Sequence, residues 1–363
     1  MKRITVKIKD NPYDIVIGCN LLKKAGLFIN RLKVGNQAYI VTHRIINNNF
    51  GKILKDSLEK EGIRSVFKIV KDTEKTKSIY ISIRLIKDIL KIERSNNTFI
   101  IALGGGVIGD LVGFTASIYK RGIPYIQIPT TLLGQIDSGI GGKTAVDLKE
   151  AKNIIGTFYQ PSLVLNDISL LKTLNTKNLR SGLAEAIKYG IIKDGFILDY
   201  IQSYLKNIFM FDEKILEEIV WRCAKIKKEI VEIDEKEKKM IRTILNFGHT
   251  IGHALETASG YRGYTHGEAI SIGMLVALEI GVILGITKED LLKRIEDLLK
   301  NVGLPTRIDK KISLEKIIQA YYHDKKFKGV KNRFVLIKDI GKPIIEENIP
   351  LNLIKKVIIK RFS

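Results

Sequence analysis

Short apolar segments alternate with longer helix-periodic segments through the first half of the chain. The first ten residues alternate apolar and charged side chains, as an opening strand does. Four apolar runs predict further strands, at residues 37–42, 65–70, 98–106 and 125–131. Apolar residues at helical spacing predict helices over residues 48–62 and 77–93, between these strands. Strands separated by helices of this length predict a parallel sheet with helices on both faces.

The pattern changes after Pro161. From about residue 170 onward nearly every segment has helical periodicity, as in residues 179–194 and 213–234. The fold class expected is therefore α/β, a Rossmann-like domain over residues 1–170, followed by an all-α domain over residues 171–363. The chain contains no internal repeat, low-complexity segment or flexible linker.

One apolar stretch, residues 269–286, is almost long enough to cross a bilayer and holds Gly281 and Gly285 at the GxxxG spacing. Glu279 lies in its middle, and Ser271 and three glycines make it less apolar. The stretch therefore predicts a buried helix of the helical domain, and no membrane partner is expected.

Composition and charge narrow the class of protein. The 363 residues are 45% hydrophobic and 28% charged, typical of a globular enzyme. Two cysteines and an N-terminus without an apolar leader favour a reducing, cytoplasmic location. The formal net charge of +22 raises nucleic-acid binding as an alternative, but the chain has no RNP motif, no Cys/His finger and no basic run interleaved with aromatics. No nucleic-acid partner is expected, and an anionic substrate is compatible with the charge.

A glycine-rich turn follows the strand predicted at residues 98–106. Gly104, Gly106 and Gly109 form a GxGxxG pattern between an apolar strand and a helix, where glycines let the backbone approach a pyrophosphate. The pattern follows the third of the apolar-run strands rather than the first, and Asp110 lies in the first helical turn. A structural tight turn is the alternative, and a dinucleotide-binding sheet with an unconventional strand order is favoured.

A second glycine cluster, residues 135–147, contains Gly-Lys-Thr at 142–144. A phosphate-binding loop of the Walker A type needs a glycine where Asp137 stands, so an ATPase is excluded. The loop instead presents Asp137 and Lys143, with Lys152 and Asn153 shortly after. Lysines on such a loop suit a phosphate or carboxylate, although simple solvation is the alternative.

Three of the five histidines lie close together in the helical half. His249 and His253 have the four-residue spacing of the HExxH zinc hydrolases, but Thr250 stands where those enzymes have their glutamate. His266 opens another helix, and Glu185 lies on a mostly apolar helix where a carboxylate needs a partner. Two histidines and a carboxylate are a typical zinc ligand set, so a metal site is predicted with its exact ligands still open at this point.

The motifs together resemble the 3-dehydroquinate synthase family of sugar-phosphate cyclases. The resemblance rests on the following blocks, which cover most of the chain in the family's order: DTEKTKS, LGGGVIGDLVGFTASIYKRG, IPTTLLGQIDSGIGGKTAVD, AKNIIGTFYQP, GLAEAIKYG, RTILNFGHTIGHALE, HGEA and HDKK.

The resemblance implies an NAD-binding domain, a helical domain with one zinc or cobalt ion, an active site in the cleft between them, and a homodimer. It implies that the metal ligands are Glu185, His249 and His266. It implies that NAD contacts Asp72, Glu74, Lys77, Gly105, Gly106, Val107, Ile108, Gly109, Asp110, Thr130, Thr131, Lys143 and Lys152. It implies that substrate contacts Arg121, Asp137, Lys143, Lys152, Asn153, Lys188, Lys227, Arg242, Asn246, His253 and Lys325, of which the catalytic group is His253, Lys143, Lys188, Asn246 and Arg242.

The reaction that the resemblance implies converts 3-deoxy-D-arabino-heptulosonate 7-phosphate to 3-dehydroquinate. NAD⁺ oxidises the C5 hydroxyl, phosphate is eliminated, the hydride returns, and the ring opens and closes by an aldol step. Such a site needs a metal to orient hydroxyls rather than a base to activate water, which accounts for Thr250. Alternatives are a 2-deoxy-scyllo-inosose or valiolone synthase and a metal-dependent polyol dehydrogenase. Two positions depart from the family: His43 replaces its usual aspartate at the end of a strand, and Thr73 a frequent glycine.

Overall fold

The computed structural model describes residues 1–93, 97–148, 151–261, 263–323 and 332–363. The chain forms two compact units, the first made of Met1–Leu174 with Glu213–Lys236 and the second of Asn175–Asp212 with Glu237–Ser363. The first break lies near the boundary expected at residue 170, but the chain later returns to the first unit for one long helix. Helical periodicity shows that this helix has an apolar face, and it does not show which core buries that face.

The first unit is an α/β structure. Its helices are α1 Ala25–Leu32, α2 Arg44–Ile46, α3 Lys52–Glu59, α4 Ile79–Ile92, α5 Gly106–Ile118 and, from the returning segment, α9 Glu213–Ile233. Its strands are β1 Lys2–Val6, β2 Tyr13–Gly18, β3 Gln37–His43, β4 Arg64–Val70, β5 Thr98–Gly104, β6 Tyr125–Pro129, β7 Lys143–Val146, β8 Ile155–Phe158 and β9 Leu163–Asp167.

Seven of these strands form one sheet in the order β1-β2-β9-β6-β5-β3-β4, while β7 and β8 form a separate two-stranded ribbon. β1 runs antiparallel to β2, and the remaining pairs of the large sheet are parallel. The chain goes from β3 outward to β4, then crosses back to place β5 on the other side of β3. The order therefore reverses between β3 and β5, and ligands of open α/β sheets bind outside the carboxyl ends of the strands at such a reversal.

The central strand β5 explains why the first half of the sequence is rich in continuous apolar runs. All seven of its residues are buried, because helices cover both faces of the sheet. Ile101 and Leu103 belong to the core on one face, and Ile100 and Ala102 to the core on the other. The α/β class and the four strands predicted from apolar runs are confirmed as β3 to β6. Strands β2 and β9, each five or six residues long, were not predicted.

The second unit is mainly helical, as predicted. Its helices are α6 Thr176–Ile192, α7 Phe196–Ser203, α8 Leu205–Phe209, α10 His249–Ala258, α11 His266–Ile283, α12 Glu289–Val302, α13 Leu314–His323 and α14 Leu351–Lys360. It also contains an antiparallel ribbon of β10 Arg333–Asp339 and β11 Lys342–Glu347, which the helix-periodic pattern did not predict.

Helix α11 is the apolar segment that has nearly the length of a membrane span. Within the described residues it alone is long and apolar enough to cross a bilayer, and 78% of it is buried inside the protein. Its single mid-helix carboxylate, Glu279, accepts a 2.6 Å hydrogen bond from Arg361 and lies 2.5 Å from the Lys360 ammonium. A buried charge satisfied in this way is typical of a core helix.

Candidate active site

The glycine turn joins β5 to α5 at the reversal of the sheet. Gly105 precedes the first helical residue, Gly106, and no side-chain hydrogen bond caps the helix. A Cβ atom on Gly105 would lie 3.0 Å from the Thr131 methyl, and one on Gly109 would lie 3.0 Å from the Gln127 amide. The glycines thus allow close packing, and the start of α5 offers backbone N–H groups and a positive helix end to an anion such as a pyrophosphate.

A buried lysine organises the polar groups beside this turn. Lys77, 5% exposed, lies 2.5 Å from Asp110 of α5 and also donates to the Asn153 side-chain oxygen. Burial disfavours the charge on Lys77, but Asp110 and nearby carboxylates outweigh it and hold the pKa of Lys77 above its ordinary value. Lys152 lies 3.2 Å from Glu74. Five residues predicted for cofactor or substrate are therefore gathered in one place.

Two further predicted residues of the first unit, Asp137 and Lys143, belong to the segment after β6, which passes close to the glycine turn and α5. Asp137 accepts a 2.6 Å hydrogen bond from Lys227 of α9, which is 6% exposed. Lys143 begins β7 and is exposed. Arg121 lies between the end of α5 and the start of β6. It is therefore at the amino ends of the parallel strands, whereas the glycine turn is at their carboxyl ends. The fold of the first unit therefore does not bring Arg121 together with Lys152 and Asn153.

His43 occupies the carboxyl end of β3. Its Nε2 lies 3.1 Å from an Asp72 carboxylate oxygen, and its Nδ1 lies 3.4 Å from the Val70 carbonyl oxygen. The His43 side chain is 7% exposed, whereas that of Asp72 is 71% exposed. The imidazole that replaces the family's aspartate is thus paired with a carboxylate from the end of the neighbouring strand.

The predicted metal ligands of the second unit meet in one cluster. Glu185 of α6 is fully buried, and its Oε1 lies 3.6 Å from His249 Nε2 and 3.5 Å from His266 Nε2. One ligand atom from each residue falls within 4.8 Å of the others. His249 and His266 are the first residues of α10 and α11, so the beginnings of two helices present them to the side of a third.

Glycines allow α10 and α11 to approach closely enough for this arrangement. A Cβ atom on Gly273 of α11 would lie 2.0 Å from the carbonyl oxygen of Gly248, the residue before α10. Gly248 itself has φ of +78°, which favours glycine. The start of α11 is fixed by Thr265 and Glu268, whose side chains each bond the other's backbone N–H in a capping box.

The far nitrogen of each ligand histidine has its own oxygen partner. His249 Nδ1 lies 3.1 Å from the Phe247 carbonyl oxygen, and a carbonyl can only accept, so the proton belongs on Nδ1 and Nε2 carries the lone pair. His266 Nδ1 lies 3.5 Å from Glu256 Oε1. Such outer partners orient metal-binding histidines. Glu256 was missed from the sequence, although it follows His253 by three residues on the same helical face.

The electrostatics of the cluster suit a cation. Burial alone would lower the pKa of His266, but hydrogen bonds and charges from Glu185 and Glu256 outweigh it and raise the pKa to about 10. Lys188, 1% exposed, forms an ion pair with Glu185 one turn earlier. Glu185, His249 and His266 supply one carboxylate and two imidazoles, a donor set that Zn²⁺ or Co²⁺ accepts, so these residues fit a divalent metal. The Lys188 ammonium is a counter-ion of Glu185 and not a ligand.

The remaining predicted residues of the second unit lie near this cluster in sequence. His253 is one helical turn after His249, with ring centroids 5.3 Å apart, and it forms a second possible ligand group with Glu256 and His266. We favour the Glu185 group because its carboxylate is the more deeply buried. Arg242, 1% exposed and 3.6 Å from Glu237, and Asn246 belong to the short helix before α10. Lys325 lies outside the described residues.

Comparison of the sequence with protein families matches two adjoining models. Residues 67–181 match the N-terminal domain of 3-dehydroquinate synthase and residues 182–327 match its C-terminal domain. The 3-dehydroquinate synthase of Thermoanaerobacter pseudethanolicus is 40% identical over 342 residues, covering 94% of this chain and 96% of the relative. That of Dehalococcoides mccartyi is 42% identical over 349 residues, covering 96% of each.

Solved structures with the same fold include two cyclases. A 2-deoxy-scyllo-inosose synthase complexed with carbaglucose-6-phosphate, NAD⁺ and Co²⁺ matches with a TM-score of 0.90 at 26% identity, covering 99% of this chain and all of that one. A 2-epi-5-epi-valiolone synthase from Streptomyces hygroscopicus, with NAD⁺ and Zn²⁺, matches with a TM-score of 0.87 at 26% identity, covering 98% of each chain. A probable glycerol dehydrogenase from Sinorhizobium meliloti, 14% identical with a TM-score of 0.65, shares the fold alone.

Proposed function

The chain belongs to the 3-dehydroquinate synthase family, and from that premise we propose how its residues divide the work of the reaction. The reaction converts 3-deoxy-D-arabino-heptulosonate 7-phosphate to 3-dehydroquinate and inorganic phosphate, a carbon–oxygen lyase step of the shikimate pathway towards chorismate and the aromatic amino acids. Its cofactors are NAD and one divalent metal ion. When bound, NAD takes and returns a hydride at C5, and the metal acts as a Lewis acid on neighbouring hydroxyls.

In the first unit we assign NAD to the glycine turn and the Lys77 cluster. The uncapped start of α5 suits the pyrophosphate, and Gly105 and Gly109 let the turn and the helix pack closely against Thr131 and Gln127. Lys77 holds Asp110 and Asn153 in fixed positions around that turn. The further cofactor contacts proposed are Asp72, Glu74, Gly106, Val107, Ile108, Asp110, Thr130, Thr131, Lys143 and Lys152.

In the second unit we assign the metal to Glu185, His249 and His266. The observation that carries the proposal is the convergence of these three side chains, with each ligand histidine oriented by a second oxygen. Phe247 and Glu256 favour a proton on the far ring nitrogens, so that His249 presents a lone pair on its near nitrogen and His266 does so once it loses a proton to bind the metal. Thr250 stands where the HExxH zinc hydrolases have a glutamate base, and its hydroxyl cannot act as such a base. This is expected for a site that orients hydroxyls instead of activating water.

The substrate carries both a carboxylate and a phosphate, and the proposed contacts are correspondingly basic. The first unit contributes Asp137, Lys143, Lys152, Asn153 and Lys227, and the second contributes Lys188, Arg242, Asn246, His253 and Lys325. Lysine and arginine suit a doubly anionic sugar. We propose that His253 handles the proton of the reacting hydroxyl, because it stands one turn from the ligand His249.

Arg121 supports a proposal about assembly. It lies at the sheet edge opposite the glycine turn, so a substrate at the carboxyl edge of the same first unit is out of its reach. We propose a cytoplasmic homodimer in which Arg121 serves the substrate of a second copy. Mixing Arg121→Ala with His249→Ala subunits should then restore part of the activity that each variant lacks, and no restoration would contradict the exchange.

The decisive experiment incubates protein, NAD⁺ and Zn²⁺ or Co²⁺ with the heptulosonate phosphate. Inorganic phosphate and 3-dehydroquinate should appear in equal amounts without accumulation of NADH, and His249→Ala should abolish both. Thr257→Ala, an exposed substitution on the same helix, is the control for damage to α10 and should behave as wild type.

Other outcomes would reassign the substrate. Turnover of glucose 6-phosphate or sedoheptulose 7-phosphate in place of the heptulosonate would indicate a sister cyclase. Two such cyclases are among the solved structures with the same fold. Net formation of NADH with a polyol would indicate a dehydrogenase.

A further inference from the structure

We propose that Asp72, held in place by His43, recognises the adenosine ribose of the dinucleotide and makes the site prefer NAD⁺ to NADP⁺. The inference rests on the NAD-binding part of the proposed function. Strand β3 ends in the imidazole of His43, where the family usually has an aspartate. We infer that the ribose-binding carboxylate is instead that of Asp72, two residues after the end of β4.

Topology places the pair at the ligand-binding edge of the sheet. Thr42 of β3 pairs with Leu103 of β5, so His43 and Gly104 leave the sheet side by side. His43 also pairs with Val70, two residues before Asp72. The reversal of strand order lies between β3 and β5, and the acidic group that binds a ribose diol in dinucleotide folds stands beside the strand that carries the glycine turn.

The loop from β4 to α4 fixes Asp72 relative to the glycine turn. The Thr76 hydroxyl donates to the Lys71 carbonyl oxygen at 2.6 Å, and the Thr73 N–H donates to the same oxygen at 3.0 Å. The loop then ends in Lys77, which is bound to Asp110 of α5. A rigid loop with Asp72 near its start and Lys77 at its end therefore joins the proposed ribose site to the proposed pyrophosphate site.

The exposures within the pair indicate a ligand-directed role. The His43 side chain is 7% exposed and its Nε2 lies 3.1 Å from Asp72 Oδ1, while the Asp72 carboxylate is 71% exposed and can still accept hydrogen bonds from hydroxyl groups. Because the Asp72 carboxylate remains largely in water, its contact with His43 adds little to stability and mainly orients the carboxylate. A carboxylate accepts from the 2′- and 3′-hydroxyls of ribose and repels a 2′-phosphate, which gives the preference for NAD⁺.

The charges next to Asp72 should make its substitution change NAD⁺ and NADP⁺ affinity in opposite directions. Arg44 and Lys71, adjacent in sequence to His43 and Asp72, are both exposed cations. Once the Asp72 charge is removed, the local groups are basic, so binding of a 2′-phosphate should improve while binding of a ribose diol weakens.

Calorimetry on protein stripped of dinucleotide, without substrate, tests the proposal. Asp72→Asn should weaken NAD⁺ about tenfold or more, the usual effect of losing a charged hydrogen bond. It should also reduce the ratio of NAD⁺ to NADP⁺ affinity by more than tenfold and abolish discrimination between NAD⁺ and 2′-deoxy-NAD⁺. Asp56→Asn, an exposed change on α3, should leave all three affinities unchanged.

His43 is tested by combining substitutions. In a His43→Ala background Asp72→Asn should cost less NAD⁺ affinity than in wild type, because the carboxylate is no longer held. His43→Asp should keep NAD⁺ binding and reject NADP⁺ more strongly. Folded Asp72→Asn protein that binds NAD⁺ as wild type does, or equal effects of Asp72→Asn in both backgrounds, would overturn the proposal. If wild type binds no dinucleotide at all, the NAD assignment itself fails, which is a distinguishable result.

Discussion

At the scale of single residues, the candidate metal site depends on the partners of its histidines as well as on the histidines. Helical spacing and clustering in the sequence singled out Glu185, His249, His253 and His266, and the structure brings all four together. The sequence could not assign tautomers, because the Phe247 carbonyl becomes a partner only in folded backbone. Glu256 was missed because a glutamate on a polar helix face has the same sequence pattern whether it faces solvent or an imidazole.

Removal of the Glu256 charge should weaken metal binding. Glu256→Gln deprives His266 Nδ1 of its carboxylate partner, and loss of such an outer contact typically costs about 10- to 100-fold in metal affinity. Competition of the protein with a chromophoric chelator for Zn²⁺, together with the visible spectrum of bound Co²⁺, measures the change. Glu268→Gln, on the same first turn as His266 but directed at the helix cap, is the matched control and should bind metal normally.

Metal binding at neutral pH should release about one proton. The pKa of His266 is raised from 6.5 to about 10 in the metal-free fold, so the imidazole is charged at pH 7 and must lose its proton to become a ligand. The protonated ring stabilises the metal-free fold fully below pH 6.5, and this contribution is lost as the pH rises through about 10. Metal affinity should rise over the same interval.

Titration calorimetry in buffers of different ionisation enthalpy counts the released protons directly. An apparent binding enthalpy that does not vary among the buffers at pH 7 would contradict a protonated His266. A metal affinity that stays flat between pH 6.5 and 10 would contradict it as well.

At the scale of secondary structure, periodicity predicted element types better than element contacts. The buried runs that became β3 to β6 could be found because parallel strands covered on both faces are continuously apolar. β9 is as buried as β5, but its five residues give too short a pattern to be recognised. The approach of α10 to α11 depends on glycines whose role appears only once the two helices are adjacent.

Gly273→Ala should destabilise the protein although alanine favours a helix. Its Cβ atom would lie 2.0 Å from the Gly248 carbonyl oxygen, so α10 and α11 would have to separate. Overpacking of this kind costs about 1–3 kcal/mol, which exceeds the gain in helix propensity of about 1 kcal/mol at most. Chemical unfolding measures the stability, and the Zn²⁺ competition assay should show weaker binding because His249 and His266 move apart.

Met274→Leu, a swap of similar volume at the next position of α11, is the control for Gly273→Ala and should change stability little. A Gly273→Ala protein as stable as wild type would show that the two helices can shift without loss.

At the scale of the whole molecule, the sequence predicted two structural classes but not the path of the chain between them. The α/β and helical halves differ in the spacing of their apolar residues, and this difference is apparent over any long segment of the sequence. The return of α9 to the first unit was not predicted, because its apolar residues are equally suited to either core. Composition alone did not identify the ligand class, because a net charge of +22 suits both a nucleic acid and an anionic metabolite.

The net charge predicts salt-sensitive turnover. A strongly basic molecule attracts a doubly anionic substrate over a distance set by the Debye length, which falls from about 30 Å at about 0.01 M salt to about 8 Å at about 0.15 M. We expect kcat/KM to fall several-fold over that range. Steady-state assays at increasing NaCl, with sucrose as an uncharged control, measure the effect, and constant kcat/KM would exclude a role for the overall field.

The position of α9 in the chain also sets an order of events during protein synthesis. Residues up to Leu174 leave the ribosome first, followed by 175–212 of the other unit, and only then by the helix that packs on β1 and β2. At about 5–20 residues per second, the two strands, complete by Gly18, wait about 10–40 seconds for α9 to be completed at Ile233. During that interval the nascent sheet exposes apolar surface, so the yield of folded enzyme in the cell depends on how well that surface is shielded until α9 arrives.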